Sequence, residues 1–146
     1  MRLDVYQRET SLIAAEQSSL LDEASDRLNA GACLNRLELN GVLHALQVLI
    51  ENAIGKSKQL LTVSGRPVPV SAYDSFDALA ARGIIGKEQI DEWRSAIGLR
   101  NKIVHDYMNI DMELVKGLVR EKRYRFVTDF LMTEFDDETL AKQLIR

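Results

Sequence analysis

The sequence predicts an all-α fold, an antiparallel bundle of four to five helices. Three observations carry that prediction. Apolar residues recur with the period of an amphipathic helix along most of the chain, no stretch alternates as a strand does, and the two prolines, Pro67 and Pro69, share one loop. Long helices with short connections pack as antiparallel neighbours. A chain of 146 residues suits one domain, 1–146, large enough to bury about two-thirds of its unfolded surface.

A first helix is expected over residues 4–29. Tyr6, Ile13, Leu20 and Leu28 recur close to every seventh position as its inward edge, Ala14, Ala15 and Ala24 favour the helix, and Asn29-Ala30-Gly31 stops it. The second helix has the clearest pattern: Leu39, Val42, Leu43, Leu46, Leu49, Ile50, Ala53 and Ile54 form its core face. Asn40, His44, Gln47 and Glu51 follow one edge of it at spacings of four, three and four. That stripe is either a solvated flank or the wall of a groove in which Glu51 holds Arg100 and His44 helps position a bound molecule.

Residues 64–70 are the one substantial loop. A short helix over 71–82 turns Phe76, Leu79 and Ala80 inward and ends at Gly83, and Ile84 and Ile85 plug the core before the next helix begins near Lys87. Gly98 lies inside that helix at a cost of about 0.8 to 1 kcal/mol relative to alanine, which points to close approach by another backbone. Asp111 is a good N-cap for a last helix containing Leu114, Val115, Leu118 and Val119. The pattern resumes out of phase at Phe126, Val127, Phe130 and Leu131, so the helix either bends or turns a different face inward.

Composition narrows the function classes. With 46% hydrophobic and 28% charged residues the chain reads as a soluble globular protein, and no run approaches the roughly 20 apolar residues of a membrane span. The start, Met1-Arg2-Leu3-Asp4, has no secretory pattern, so the cytoplasm is the expected location. One cysteine, Cys33, and two histidines offer neither an internal disulfide nor a metal cluster, and no metal or cofactor is expected. A net charge of −3 argues against coating nucleic acid through the overall field. Locally, Arg120, Lys122, Arg123 and Arg125 crowd together, with Asp136, Asp137 and Glu138 as a later counterweight. Such a run is a solvated face, or a track for an RNA backbone or an acidic partner.

The stretch 99–107 breaks the helical pattern. If the helix continues from Ile90, then Ile90, Trp93, Ile97, Val104 and Met108 fall within about 60° of one another. Arg100 and Asn101 land on or beside that stripe, His105 stands one turn above Asn101, and Lys102 and Asp106 face away. A guanidinium beside a packing seam needs a partner, either a carboxylate from another helix or a phosphate held in a cleft. His105 is correspondingly a hydrogen-bonded core histidine or an acid–base group.

The string Arg100-Asn101-Lys102-Ile103-Val104-His105-Asp106-Tyr107 resembles the signature of the HEPN superfamily, and within it the HepT toxins of bacterial and archaeal toxin–antitoxin pairs. The likeness covers residues 37–131, taking in the long apolar helix, the proline loop, Gly83-Ile84-Ile85 and Asn109-Ile110-Asp111. It implies a homodimeric ribonuclease whose active site spans the dimer interface and whose product carries a 2′,3′-cyclic phosphate. In that arrangement Arg100 and His105 are catalytic and Asn101 orients the histidine or the phosphate. It also implies that Tyr107 receives AMP from a partner nucleotidyltransferase antitoxin, MntA, which would neutralise Arg100 and block the cleft.

The chemistry agrees with that implication. RNA cleavage without a metal needs a base for the 2′-hydroxyl, an acid for the leaving oxygen and a cation for the phosphorane. One chain has one motif histidine, and a two-fold dimer supplies the second. The alternative is a non-catalytic HEPN module in which Arg100 and His105 knit a dimer or bind a nucleotide beside a nucleotidyltransferase.

Overall fold

The computed structural model describes residues 2–138 and 140; residues 1, 139 and 141–146 of the expected domain lie outside the described residues. Six helices follow in order: α1 Leu3–Asn29, α2 Arg36–Val63, α3 Ala72–Ala81, α4 Ile90–His105, α5 Met112–Arg120 and α6 Arg125–Met132. Helix α2 lies at the centre and packs against α1, α3, α4 and α6. It begins with a capping box, in which Asn35 Oδ1 accepts from Glu38 N at 2.8 Å and Glu38 Oε1 accepts from Asn35 N at 3.0 Å. Val42, Leu43, Leu46, Leu49, Ile50, Ala53 and Ile54 are buried, as their spacing requires. No helix among the described residues is long and apolar enough to cross a membrane.

Two expectations about helix faces and ends need correcting. In α1 the buried line is Gln7, Ala14, Leu21 and Leu28, one residue on from Tyr6, Ile13 and Leu20, while Ile13 and Leu20 are exposed. The inward face of α1 mixes leucines with small and polar residues, and two of the polar ones meet backbone. Gln7 bonds both to the carbonyl and to the amide of Phe135 at 2.8 Å, and Ser25 Oγ donates to the carbonyl of Arg120. The last helix also neither bends nor rotates: it ends at Arg120, and a separate helix starts at Arg125. Lys122 adopts a left-handed conformation, with φ 54°, and the amides of Lys122 and Arg123 bond back to the carbonyls of Val119 and Leu118. That is the Schellman termination, which Gly31, Gly65 and Gly83 provide for α1, α2 and α3.

Gly98 meets no neighbouring backbone. A Cβ there would lie 3.8 Å from the hydroxyl of Tyr73, an ordinary contact. Gly98→Ala is therefore expected to raise stability by up to about 1 kcal/mol, through the lost helical penalty alone. The check is the urea midpoint, and a lowered midpoint would contradict this account.

The least expected core residue is Lys56, fully buried on α2. Its ammonium donates to the carbonyls of Phe130 at 2.7 Å and Thr133 at 2.6 Å, at the C-terminal end of α6, where the helix dipole favours a cation. The rings of Phe130 and Phe135 both lie 5.1 Å from Nζ. Burial pushes the group down to about 8, partly offset by Glu134. The unfolded chain therefore keeps, above about pH 8, a proton that the folded chain releases, and stability rises with pH until the unfolded lysine also titrates. Burial raises the phenols of Tyr6 and Tyr124, and these act with the opposite sign above about pH 10. Lys56→Met should lower stability at neutral pH by about 1 to 3 kcal/mol, since the α6 carbonyls lose their donor. The wild type alone should gain stability from about pH 8 to 9.5, by less than about 1.4 kcal/mol per unit. Urea titrations of both proteins across that range test this, and parallel curves would exclude it.

Candidate functional site

The motif occupies the last turn and a half of α4 and the turn that follows. Asp91 and Glu92 open the helix and Lys102 and His105 close it, each charge set matching the dipole end it occupies. At Asp106 the backbone leaves the helix, with φ −145° and ψ 45°, although its amide still reaches the carbonyl of Lys102 at 2.9 Å. Tyr107–Asn109 then forms one 3₁₀ turn, fastened where Asn109 Nδ2 donates to Asp106 Oδ1 at 2.7 Å.

The expected apolar stripe is not buried along its whole length. Trp93 and Ile97 are buried and Ile103 joins them, but Val104 is 42% and Met108 89% exposed. Tyr107, lying beyond the break, does not share the face of Arg100 as a continuous helix would require. Its ring is 47% exposed, and its hydroxyl donates to Asn40 Oδ1 on α2.

Arg100 is half-buried, and its Nε is enclosed with no hydrogen-bond partner. The carboxylate alternative is not realised: among the described residues Arg100 forms no ion pair, and Glu51, exposed on α2, accepts from Gln47 at 3.1 Å. Asn101 is half-buried, and His105 one turn above it is exposed, so the core-histidine reading does not hold. His105 is five positions after Arg100, about 140° around the helix, so the two side chains leave α4 from different faces. His44 is exposed on α2, one turn beyond Asn40. Of the α2 stripe, it is Asn40 that meets the motif. The period of that stripe was visible in sequence, but which member touches Tyr107 depends on where α4 ends.

The basic cluster begins at the far end of α5, a helix about 13 Å long that follows the motif in the chain. Lys122 pairs with Asp26 of α1 at 3.9 Å and Arg123 with Glu121 at 3.9 Å, while Tyr124, next in the chain, donates its hydroxyl to Asp22. Of the four basic residues Lys122 helps fasten the α5–α6 turn to α1, while Arg120, Arg123 and Arg125 are exposed. An apolar groove of about 380 Å³ runs between α2, α4, α5 and α6. Leu46, Ile50, Leu99 and Leu118 line it, with Asp91 and Arg123 at its rim, and it meets the motif stretch only through Leu99.

The family model described as HepT-like, Ribonuclease HepT-like, matches residues 14–133. A relative from Archaeoglobus fulgidus is 35% identical over 85 residues, 58% of this chain and 64% of that one. The mRNA nuclease HepT of Shewanella oneidensis is 34% identical over 71 residues, 49% of each chain. The matched stretch thus spans 49% and 64% of those curated relatives, less than two-thirds of either. In three dimensions the chain resembles the tri-AMPylated Shewanella oneidensis HEPN toxin solved in complex with an MNT antitoxin, with a TM-score of 0.74 at 19% identity over 88% of this chain and 98% of that one. The expected all-α HEPN architecture is therefore the observed one. With 120 consecutive residues matched and the Arg100–Tyr107 signature intact at the end of α4, this chain belongs to the HepT-like family.

Proposed function

We propose that this protein is a ribonuclease toxin that works as a homodimer, cleaves RNA without a metal, and is silenced by a nucleotidyltransferase partner acting on Tyr107. The observation that carries the reading is the state of the motif within a family whose Shewanella oneidensis member is named an mRNA nuclease: an exposed His105, an exposed Tyr107 and a half-buried Arg100 with no internal ion pair. A guanidinium so held has hydrogen-bonding capacity that the described residues leave unused, and phosphate is the ligand whose geometry suits it.

In the proposed reaction, His105 of one copy takes the proton from a 2′-hydroxyl and His105 of the other gives one to the departing 5′-oxygen. The attacking oxygen closes a 2′,3′-cyclic phosphate while Arg100 stabilises the charge on the non-bridging oxygens. Asn101, one turn below His105, orients its ring. The two-fold dimer answers the 140° separation on one helix, because an arginine from one copy then faces a histidine from the other. AMP on Tyr107 would place a phosphate against the same cations and fill the gap.

His105→Ala is expected to lower cleavage of RNA by the purified, partner-free chain by about 10² to 10⁴-fold. Its folding stability should stay within about 0.5 kcal/mol, since the side chain is exposed. In a host lacking the partner, growth arrest and RNA fragments should follow expression of the wild type only, and equal harm from both proteins would end the catalytic reading. For the off-switch, co-expression with the neighbouring nucleotidyltransferase should raise the intact mass by one or more AMP units, and Tyr107→Phe should abolish the gain. An unchanged mass on partner-bound wild type would remove modification as the mechanism.

A further inference from the structure

Among the described residues, the only side-chain partner of the Tyr107 hydroxyl is Asn40, 67 positions away in sequence. We propose that Asn40 is a positioning residue for Tyr107 as a nucleotidyl acceptor, holding the phenol by its proton so that the oxygen lone pairs face outward. The inference rests on the reading of Tyr107 as the modified residue and adds how its geometry is set.

Tyr107 needs such a hold. It follows the helix break at Asp106, on a single 3₁₀ turn, with nearly half its surface in solvent. A tyrosine there samples several rotamers, and a nucleophile gains rate when its reacting atom is held close to the line of attack. Asn40 lies in the second turn of α2, behind the capping box of Asn35 and Glu38, on the helix that anchors the fold. A side chain on a rigid element fixes a mobile one better than another loop would. On the other side of Tyr107, the Asp106–Asn109 bond at 2.7 Å fastens the turn, so backbone and hydroxyl are held independently.

The direction of the bond matters. Asn40 Oδ1 accepts, so the phenol donates, and the oxygen keeps its lone pairs for the α-phosphorus of a nucleoside triphosphate. As the Oη–phosphorus bond forms, the bond to pyrophosphate breaks and the phenol proton departs. An amide is no base, so that proton goes to a base of the transferase or to water. The product ester has no hydroxyl proton, so each transfer also dissolves the tie to Asn40. Asn40 therefore holds the unmodified tyrosine only.

The test measures transfer of AMP from ATP to the full chain by the partner nucleotidyltransferase, for wild type, Asn40→Ala and Asn40→Asp. Asn40→Ala should lower kcat about 3- to 10-fold, the worth of one exposed hydrogen bond, without changing KM for the chain. Asn40→Asp, which retains the acceptor oxygen, should recover most of the loss. All three proteins should melt together, Asn40 being exposed. A wild-type rate in Asn40→Ala, an effect on KM alone, or an aspartate variant as slow as the alanine one would each overturn the proposal. A wild type that takes up no AMP would overturn the Tyr107 reading itself, a result distinct from a chain modified with indifference to residue 40.

Discussion

The rotation of α4 about its own axis decides what the motif presents, and Trp93 sets that rotation. Its indole is buried, stacked on Phe76 of α3 at 4.2 Å and met edge-on by Phe126 and Phe130 of α6 at 4.9 and 5.2 Å. Such an aromatic cluster contributes area burial and about 0.5 to 1.5 kcal/mol for each well-placed pair. Arg100 lies seven residues on, about 20° from Trp93 around the helix, and is drawn half into the fold. His105 lies twelve residues on, about 120° away, and reaches solvent. The face that Trp93 turns inward is covered as far as Arg100 and opens by Val104, also about 20° from Trp93 but 42% exposed.

A second constraint is where the helix stops. Were α4 to continue through Met108, Tyr107 would lie almost above Arg100 and could not reach Asn40. The break at Asp106 redirects the chain toward α2, and Asp106 itself secures the new course by accepting from Asn109. Asp106 therefore has a structural part in the motif, and the contact between Tyr107 and Asn40 is its consequence.

These two constraints explain what could be read from the residues and what could not. The core of α2, the inward faces of α3, the plug of Ile84 and Ile85 and the cap at Asp111 follow from periodicity and capping chemistry, and the structure has them. The face of α1 was misjudged by one residue because large side chains announce burial, whereas α1 buries Gln7, Thr10, Ala14 and Ser25 against backbone and leaves Leu12 and Leu20 outside. The break between α5 and α6 was hidden because Lys122 takes the left-handed position that glycine fills at three other helix ends. Lys56 looked like any helical lysine, since nothing local in its sequence indicates that the end of α6 will arrive to receive its ammonium. The site residues were legible as a string, but their faces were not, because faces depend on Trp93 and on Asp106.

Charge completes the argument. A chain of net charge −3 cannot hold RNA by its overall field, so attraction for a phosphate must be local. Several cations are engaged within the fold: Arg27 with Glu38, Arg94 with Asp77, Lys122 with Asp26, and Lys56 with the carbonyls of α6. Others, such as Arg8 and Lys87, are exposed and meet water. Arg82 shares with Arg100 an enclosed Nε, but its Nη1 donates to the carbonyl of Ala78 at 2.9 Å. Arg100 is thus a partly desolvated guanidinium for which the described chain supplies no acceptor, and partial desolvation strengthens its interaction with any anion that arrives. A second copy bringing its own Arg100 and His105 would concentrate that attraction at one gap between two acidic bodies. Affinity for RNA would then depend on assembly rather than on the net charge of either chain.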